Sequence, residues 1–176
     1  MEILIVGAVV VALMVFVSTK IKKNVAAAFE PETIENAEFR LLKPEGFINP
    51  LNDDSEFAFV AYTREFGKND AEEFRQARAD VTIFSDLNFT AAIKNVEKNS
   101  GKVLSKNLTE DVSQRQKTFL IATENIEQNV AVRNFYKIVE SGENHKIYQM
   151  QVLVLEAYQA EYSERINQLI ESFTVK

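Results

Sequence analysis

Residues 130–156, VAVRNFYKIVESGENHKIYQMQVLVLE, decide the fold. Two runs rich in β-branched and aromatic residues, Val130 to Val139 and Lys146 to Glu156, face each other across Glu140-Ser141-Gly142-Glu143-Asn144. A turn carrying Gly and Asn between two such runs reads as an antiparallel hairpin. Immediately after it, Ala160 to Phe173 sets Tyr162, Ile166, Leu169, Ile170 and Phe173 at i, i+4, i+7, i+8 and i+11, one apolar stripe of an amphipathic helix. A sheet with a carboxyl-terminal helix packed on it follows.

Working back toward the amino terminus, Lys102 to Leu108 and Thr118 to Thr123 read as further strands. Phe89, Ala92, Ile93 and Val96 recur at helical spacing within Asn88 to Lys98, with Asn99-Ser100-Gly101 as a left-handed stop. Ala79 to Ser85, with β-branched Val81, Thr82 and Ile83, is a strand, and Glu56 to Arg64 is another with neither face strongly polar, as a central strand requires. Between them Ala71 to Arg78 is compatible with a helical turn or with an extension of the strand. Phe39 to Leu42 is a short strand entering the turn Lys43-Pro44-Glu45-Gly46-Phe47, and Asn49-Pro50 and Asn52-Asp53-Asp54-Ser55 mark a second turn cluster. Strands, a helix, a run of strands and a final helix spell an α+β domain with a mainly antiparallel sheet and packed helices.

Ahead of this domain, Ile3 to Val17 (ILIVGAVVVALMVFV) holds no charge, and Lys20, Lys22 and Lys23 follow at once. At ~1.5 Å per residue the run covers roughly 22 Å, and Met1 to Thr19 about 28 Å. A hydrocarbon core of ~30 Å leaves a shortfall that snorkelling lysines and local thinning absorb. The run is apolar all round, which a helix lying on the surface would not be. A cleaved signal peptide is the rival, because Ala26-Ala27-Ala28 offers small residues for a peptidase; the missing basic n-region and the intervening lysines oppose it. The reading is therefore residues 1–19 as one transmembrane helix, 20–37 as a basic flank and linker that Pro31 interrupts, and 38–176 as the α+β domain. It makes the lipid bilayer the partner of residues 3–17 and the protein a single-pass protein of the cell membrane. The three lysines favour a cytoplasmic domain by positive-inside bias, with an extracytoplasmic domain as the alternative.

A net charge of -6 disfavours nucleic acid, which recruits proteins through basic patches. With no Cys there are no disulfides, thiolate metal sites or cysteine nucleophiles, and His145 stands alone with no triad or histidine metal pattern around it. No phosphate-binding glycine motif occurs. Asp53, Asp54 and Glu56 gather oxygens in one loop and form a candidate ion-binding or partner-binding acidic cluster, although the calcium-loop pattern lacks its central glycine and closing glutamate. Neither catalytic residues nor a cofactor emerge from the sequence.

The stretches LKPEGFINPL, FAFVAYTRE, ADVTIFS, KNSGK, VAVRNFYKIVESGENHKIYQMQVLV and INQLIESFTV, in this order, resemble the PsbP-like family. That family is the α/β/α sandwich shared by the PsbP protein of photosystem II, the Ran-binding Mog proteins and the DcrB lipoproteins. The likeness covers Phe39 to Val175 and rests on Gly46-Phe47 near the first strand and Ser172-Phe173 at the end of the last helix. Asn49-Pro50-Leu51 replaces the family's tryptophan turn, and the lipoprotein members' cysteine is absent. The resemblance implies an adaptor or assembly protein rather than an enzyme, with a protein partner. A second possibility is a carrier or sensor of an apolar ligand held between sheet and helix. A large dry pocket under Phe57, Phe59 and Ile166 would favour the carrier, and a filled core with an exposed patch would favour the adaptor.

Overall fold

The hairpin at residues 130–156 forms the centre of the molecule. In the computed structural model, which describes residues 13–20, 27–50, 56–113 and 115–176, β8 (Val130–Ser141) and β9 (Ile147–Leu155) pair antiparallel from Val132↔Leu155 to Glu140↔Ile147. His145 turns the chain with φ 55 in the exposed tip. Ser141, expected in that turn, is instead the buried last residue of β8.

Seven strands line up in the order β3-β4-β5-β9-β8-β7-β6, all antiparallel. They are β3 (Phe47–Ile48), β4 (Phe59–Thr63), β5 (Ala77–Phe84), β9, β8, β7 (Gln116–Glu127) and β6 (Lys102–Asp111). Side chains alternate between the two faces of a strand, so each face needs its own cover. On one face, α2 (Gln159–Ser172) packs Tyr162, Ile166 and Leu169 against Val81, Met150, Val152 and Val154. A small sheet of β1 (Glu32–Glu35), β2 (Phe39–Lys43) and β10 (Thr174–Val175) closes the same core, and the Phe39 and Phe173 rings meet edge-on at 5.8 Å. On the other face, α1 (Phe89–Asn99) seats Phe89, Ala92 and Val96 on Phe119, Ile121, Ile138 and Ile147. The layers are helix, sheet, helix.

The strands and the two helices expected between Phe39 and Phe173 are present, with informative departures. Glu32–Glu35 was read as linker and is β1, because Ile34 packs on the core and the four residues pair with β2. This edge is fastened by Lys43, whose buried ammonium donates to the carbonyls of Ala28 (2.9 Å), Glu30 (2.7 Å) and Phe47 (3.0 Å). Burial pushes that amine below the usual lysine range. The end of α1 is not left-handed: Ser100 is extended, and its N–H and Oγ both donate to the Val96 carbonyl at 2.9 and 2.6 Å. Gly101 serves a different need, since a Cβ there would lie 2.4 Å from the Glu124 carbonyl oxygen of β7. Asn88 caps the other end of α1, accepting the Ala91 N–H at 2.8 Å. The ambiguous stretch before β5 resolves both ways, into a 3-10 turn at Asn69–Ala71 and a strand beginning at Ala77.

Among the described residues no helix is long and apolar enough to cross a membrane. Of the run Ile3–Val17, residues 3–12 lie outside the described residues, while 13–20 are helical with Leu13, Met14, Val15, Phe16 and Val17 all exposed.

Candidate functional site

The sheet outgrows its helices. α1 packs on β8 and on Phe119 and Ile121 of β7, and α2 on β9 and β2, which leaves β6 as the bare edge strand. At this end every one of the ten residues of β6 is exposed. Val103, Leu104 and Leu108 of β6 present apolar side chains to solvent, Leu108 at 60%, while Val112 just past one end of β6 and Ile126 of β7 beyond its other end are exposed as well. Apolar residues exposed along a bare edge strand are a candidate contact surface.

Beside that edge, on the α2 face, a groove of ≈ 340 Å³ opens. Leu120 and Ala122 of β7 and Phe135 of β8 form its floor, Ile170 of α2 its wall, and Ser105, Asn107, Asn167 and Glu171 its rim. Below it Lys137 ends α2: its ammonium donates to the carbonyls of Ile170 and Phe173, both at 2.7 Å, and lies 5.9 Å from the centre of the Phe173 ring. A cation at a helix carboxyl end meets the negative pole of the dipole and the carbonyls that lack intrahelical donors. Burial lowers the pKa of Lys137, the nearby Glu171 partly offsetting this. The amine is engaged as a donor and anchors the helix. Lys137→Met is therefore expected to leave these carbonyls without their donor and to lower stability by about 1–3 kcal/mol. A thermal melt followed by circular dichroism checks this, and an unchanged midpoint would show that water replaces the amine at no cost.

The opposite face carries a buried polar band between the patch under α1 and a second apolar patch of Val130, Val132 and Leu155. Asp80 of β5 is its charged member, 3.6 Å from Arg78, with Gln151 of β9 beside it in register. Gln151 donates to Asn134 Oδ1 at 3.0 Å. Burial pushes the Asp80 carboxyl up to about 6, against a smaller opposing pull from Arg78. Tyr136, in register with Gln151, is raised to about 12, chiefly by burial, with Glu127 and Asp80 adding to it. A perturbed carboxyl is a reason to look for chemistry. Here its neighbours are a guanidinium, an amide and a phenol held neutral, with no nucleophile among them.

The acidic loop and the basic flank stay largely out of view: Asp53, Asp54, Lys22 and Lys23 lie outside the described residues, while Glu56 and Lys20 are exposed. Among the described residues no three His, Cys, Asp or Glu side chains gather as metal ligands, and His145 sits exposed in its turn. Phe59 and Ile166 are packed into the core at 4% and 1% exposure, whereas Phe57 precedes β4 and lies at the surface, 5.1 Å from the Arg78 guanidinium. The groove between sheet and α2 thus lies at the β6–β8 end, away from the place a carrier was expected to have one. A further depression of ≈ 570 Å³, floored by Val130, Leu155 and Tyr158, opens at the far end between Lys68 and Glu156.

Sequence comparison finds no match, either to a family model or to a curated protein. Solved structures do match. Cyanobacterial PsbP (CyanoP) from Synechocystis sp. PCC 6803 aligns with a TM-score of 0.55 at 11% identity, covering 84% of this chain and 94% of that one. The fold is PsbP-like. LpqN of Mycobacterium tuberculosis, involved in cell envelope biogenesis, aligns on the same PsbP-like core with a TM-score of 0.55 at 10% identity, covering 84% and 91%. The Saccharomyces cerevisiae Ran-binding protein Mog1p aligns at 0.48 and 14% identity, over 84% and 96%. At such identities the likeness is one of fold, and a PsbP-like fold does not name a function.

Proposed function

We propose that this chain is a membrane-tethered, non-catalytic protein-binding module that presents the β6–β7 end of its sheet to a protein partner. The exposed apolar side chains Val103, Leu104 and Leu108 along the bare edge strand β6, beside an open groove, are the observation that carries the reading. The apolar run that ends in the exposed helical residues 13–17 supports the tether, and Lys20, Lys22 and Lys23 support a cytoplasmic domain. Confinement to a membrane raises effective concentration, so a contact of modest affinity is occupied. The filled core around Phe59 and Ile166 favours this reading over a carrier of apolar ligands.

A photo-crosslinking residue at Leu108 or Ile126 in the full chain, irradiated in native membranes, is expected to yield a discrete protein adduct that the same residue at Glu164 on α2 does not. The protein is expected to resist carbonate extraction and to keep its full mass. A mature form beginning at Phe29 would instead establish a cleaved signal. For orientation, the chain's lack of cysteine permits a single Glu143→Cys in the exposed hairpin tip, where Ser141 is too buried to serve. Labelling by an impermeant thiol reagent only after lysis is expected; labelling of intact cells would reverse the topology.

A further inference from the structure

We propose that β6 pairs with β6 of a second copy of this chain, antiparallel and centred on Leu108, so that two seven-stranded sheets become one. This inference rests on the protein-binding reading and names the partner at its surface. The strand order puts β6 at the edge of the sheet with β7 as its strand neighbour, and the opposite edge of the sheet is a strand of two residues. A long exposed edge with an unpaired row of backbone groups is a template for another strand. Proteins that must keep such an edge single interrupt it. The irregularity in β6 falls between Val103 and Ser105, and from Ser105 to Asp111 the register with β7 runs unbroken. Leu108 is the midpoint of that regular stretch.

Charge selects the register. Lys106, Leu108 and Glu110 pair with Ile121, Phe119 and Lys117 of β7 and so project on the α1 face. Two-fold pairing about Leu108 sets each Lys106 opposite the second copy's Glu110, twice, and Leu108 opposite Leu108. Slipping by two residues in one direction puts Lys106 against Leu108, and in the other puts Glu110 against Leu108. The pairing also extends an existing row. Glu140 lies 3.6 Å from Lys117, which is in register with Glu110, and Lys106 lies 3.3 Å from Glu97 of α1. Across the joint the row reads Glu140, Lys117, Glu110, then the second copy's Lys106 and Glu97, alternating in sign throughout. On the α2 face the same register sets Asn107 against Thr109, and it brings the two grooves side by side.

The full chain in detergent micelles tests this. In a Leu108→Cys variant the two sulfurs would hang from Cα atoms about 4.5–5.5 Å apart, within disulfide reach. Mild oxidation is expected to give a covalent dimer. Lys102→Cys, whose copies would lie about 40 Å apart, is expected to give none. In sedimentation equilibrium Lys106→Glu sets like charges opposite each other at two places and is expected to weaken the dimer by about 10-fold or more. Glu110→Lys should do the same, and the double variant should restore association. Equal crosslinking at positions 102 and 108, or a dimer indifferent to Lys106→Glu, would overturn the register. A monomer with a heterologous adduct at Leu108 in membranes would overturn the second copy as partner and leave the protein-binding reading standing. No adduct of either kind would overturn both.

Discussion

Replacing Ile166 with aspartate is expected to abolish the fold. Ile166 is 1% exposed at the middle of the α2 stripe, packed with Tyr162 and Leu169 against strands β2 and β9. The substitution removes roughly 2–3 kcal/mol of apolar burial. It also inserts a carboxyl group that must either stay charged without a partner or hold a proton at neutral pH, at a cost of several kcal/mol. The total compares with the ~5–15 kcal/mol margin of a whole domain. Loss of the far-UV signal, or a melting midpoint too low to measure, is the expected result. Asn167→Asp, one residue along on the exposed side of the same helix, should change stability by no more than about 0.5 kcal/mol. If both variants melt like the parent, α2 does not pack through the face described.

What the sequence shows plainly is whatever repeats along one element. The β8–β9 hairpin, the stripe of α2 and the spacing of α1 were all legible because each is a periodic pattern with a turn or cap at its end. The features that escaped depend on neighbours distant in sequence. Ile34 gives no period of its own, and β1 exists because β2 is there to pair with it. Lys43 looks like a solvated turn lysine, and nothing local announces that the carbonyls of Ala28, Glu30 and Phe47 converge on its amine. Gly101 reads as part of a left-handed helix stop, whereas its requirement is set by the approach of Glu124 from β7.

The proposed contact surface was not legible in the sequence for the same reason. Val103, Leu104 and Leu108 read as a strand, and a strand with this composition is as consistent with the middle of a sheet as with its rim. Only the strand order places β6 at the edge, and only the lateral reach of the helices leaves it bare. Asp53, Asp54 and Glu56, by contrast, drew attention through local crowding of charge. Crowded acidic residues in a loop are ordinarily a solvated turn, and Glu56 is exposed.

Replacing Asp80 with asparagine is expected to stabilise the protein, and to do so only above a defined pH. Burial raises the carboxyl from 3.8 to about 6 in the fold. A buried group whose acid form is favoured in the native state opposes folding once the solution takes its proton. The sign follows from proton counts. Below pH ~4 the side chain is protonated whether the chain is folded or not, and it contributes nothing to the difference. Between about 4 and 6 the folded state holds a proton that the unfolded state has released, so stability falls as pH rises. Above about 6 the penalty is complete and constant. A shift of about two units corresponds to about 3 kcal/mol. Asparagine keeps the shape and carries no charge, and Arg78, whose side chain is 44% exposed, loses its neighbour at little cost. For a domain of this size the gain amounts to a rise of roughly 6–12 °C in melting midpoint at pH 8, shrinking to nothing near pH 3.5. Melting curves of parent and variant across that range decide it. A gain of equal size at pH 3.5 and 8 would mean that asparagine helps through packing and hydrogen bonding with Gln151. No gain at pH 8 would mean that Asp80 is solvated or paired well enough to remain an ordinary carboxylate.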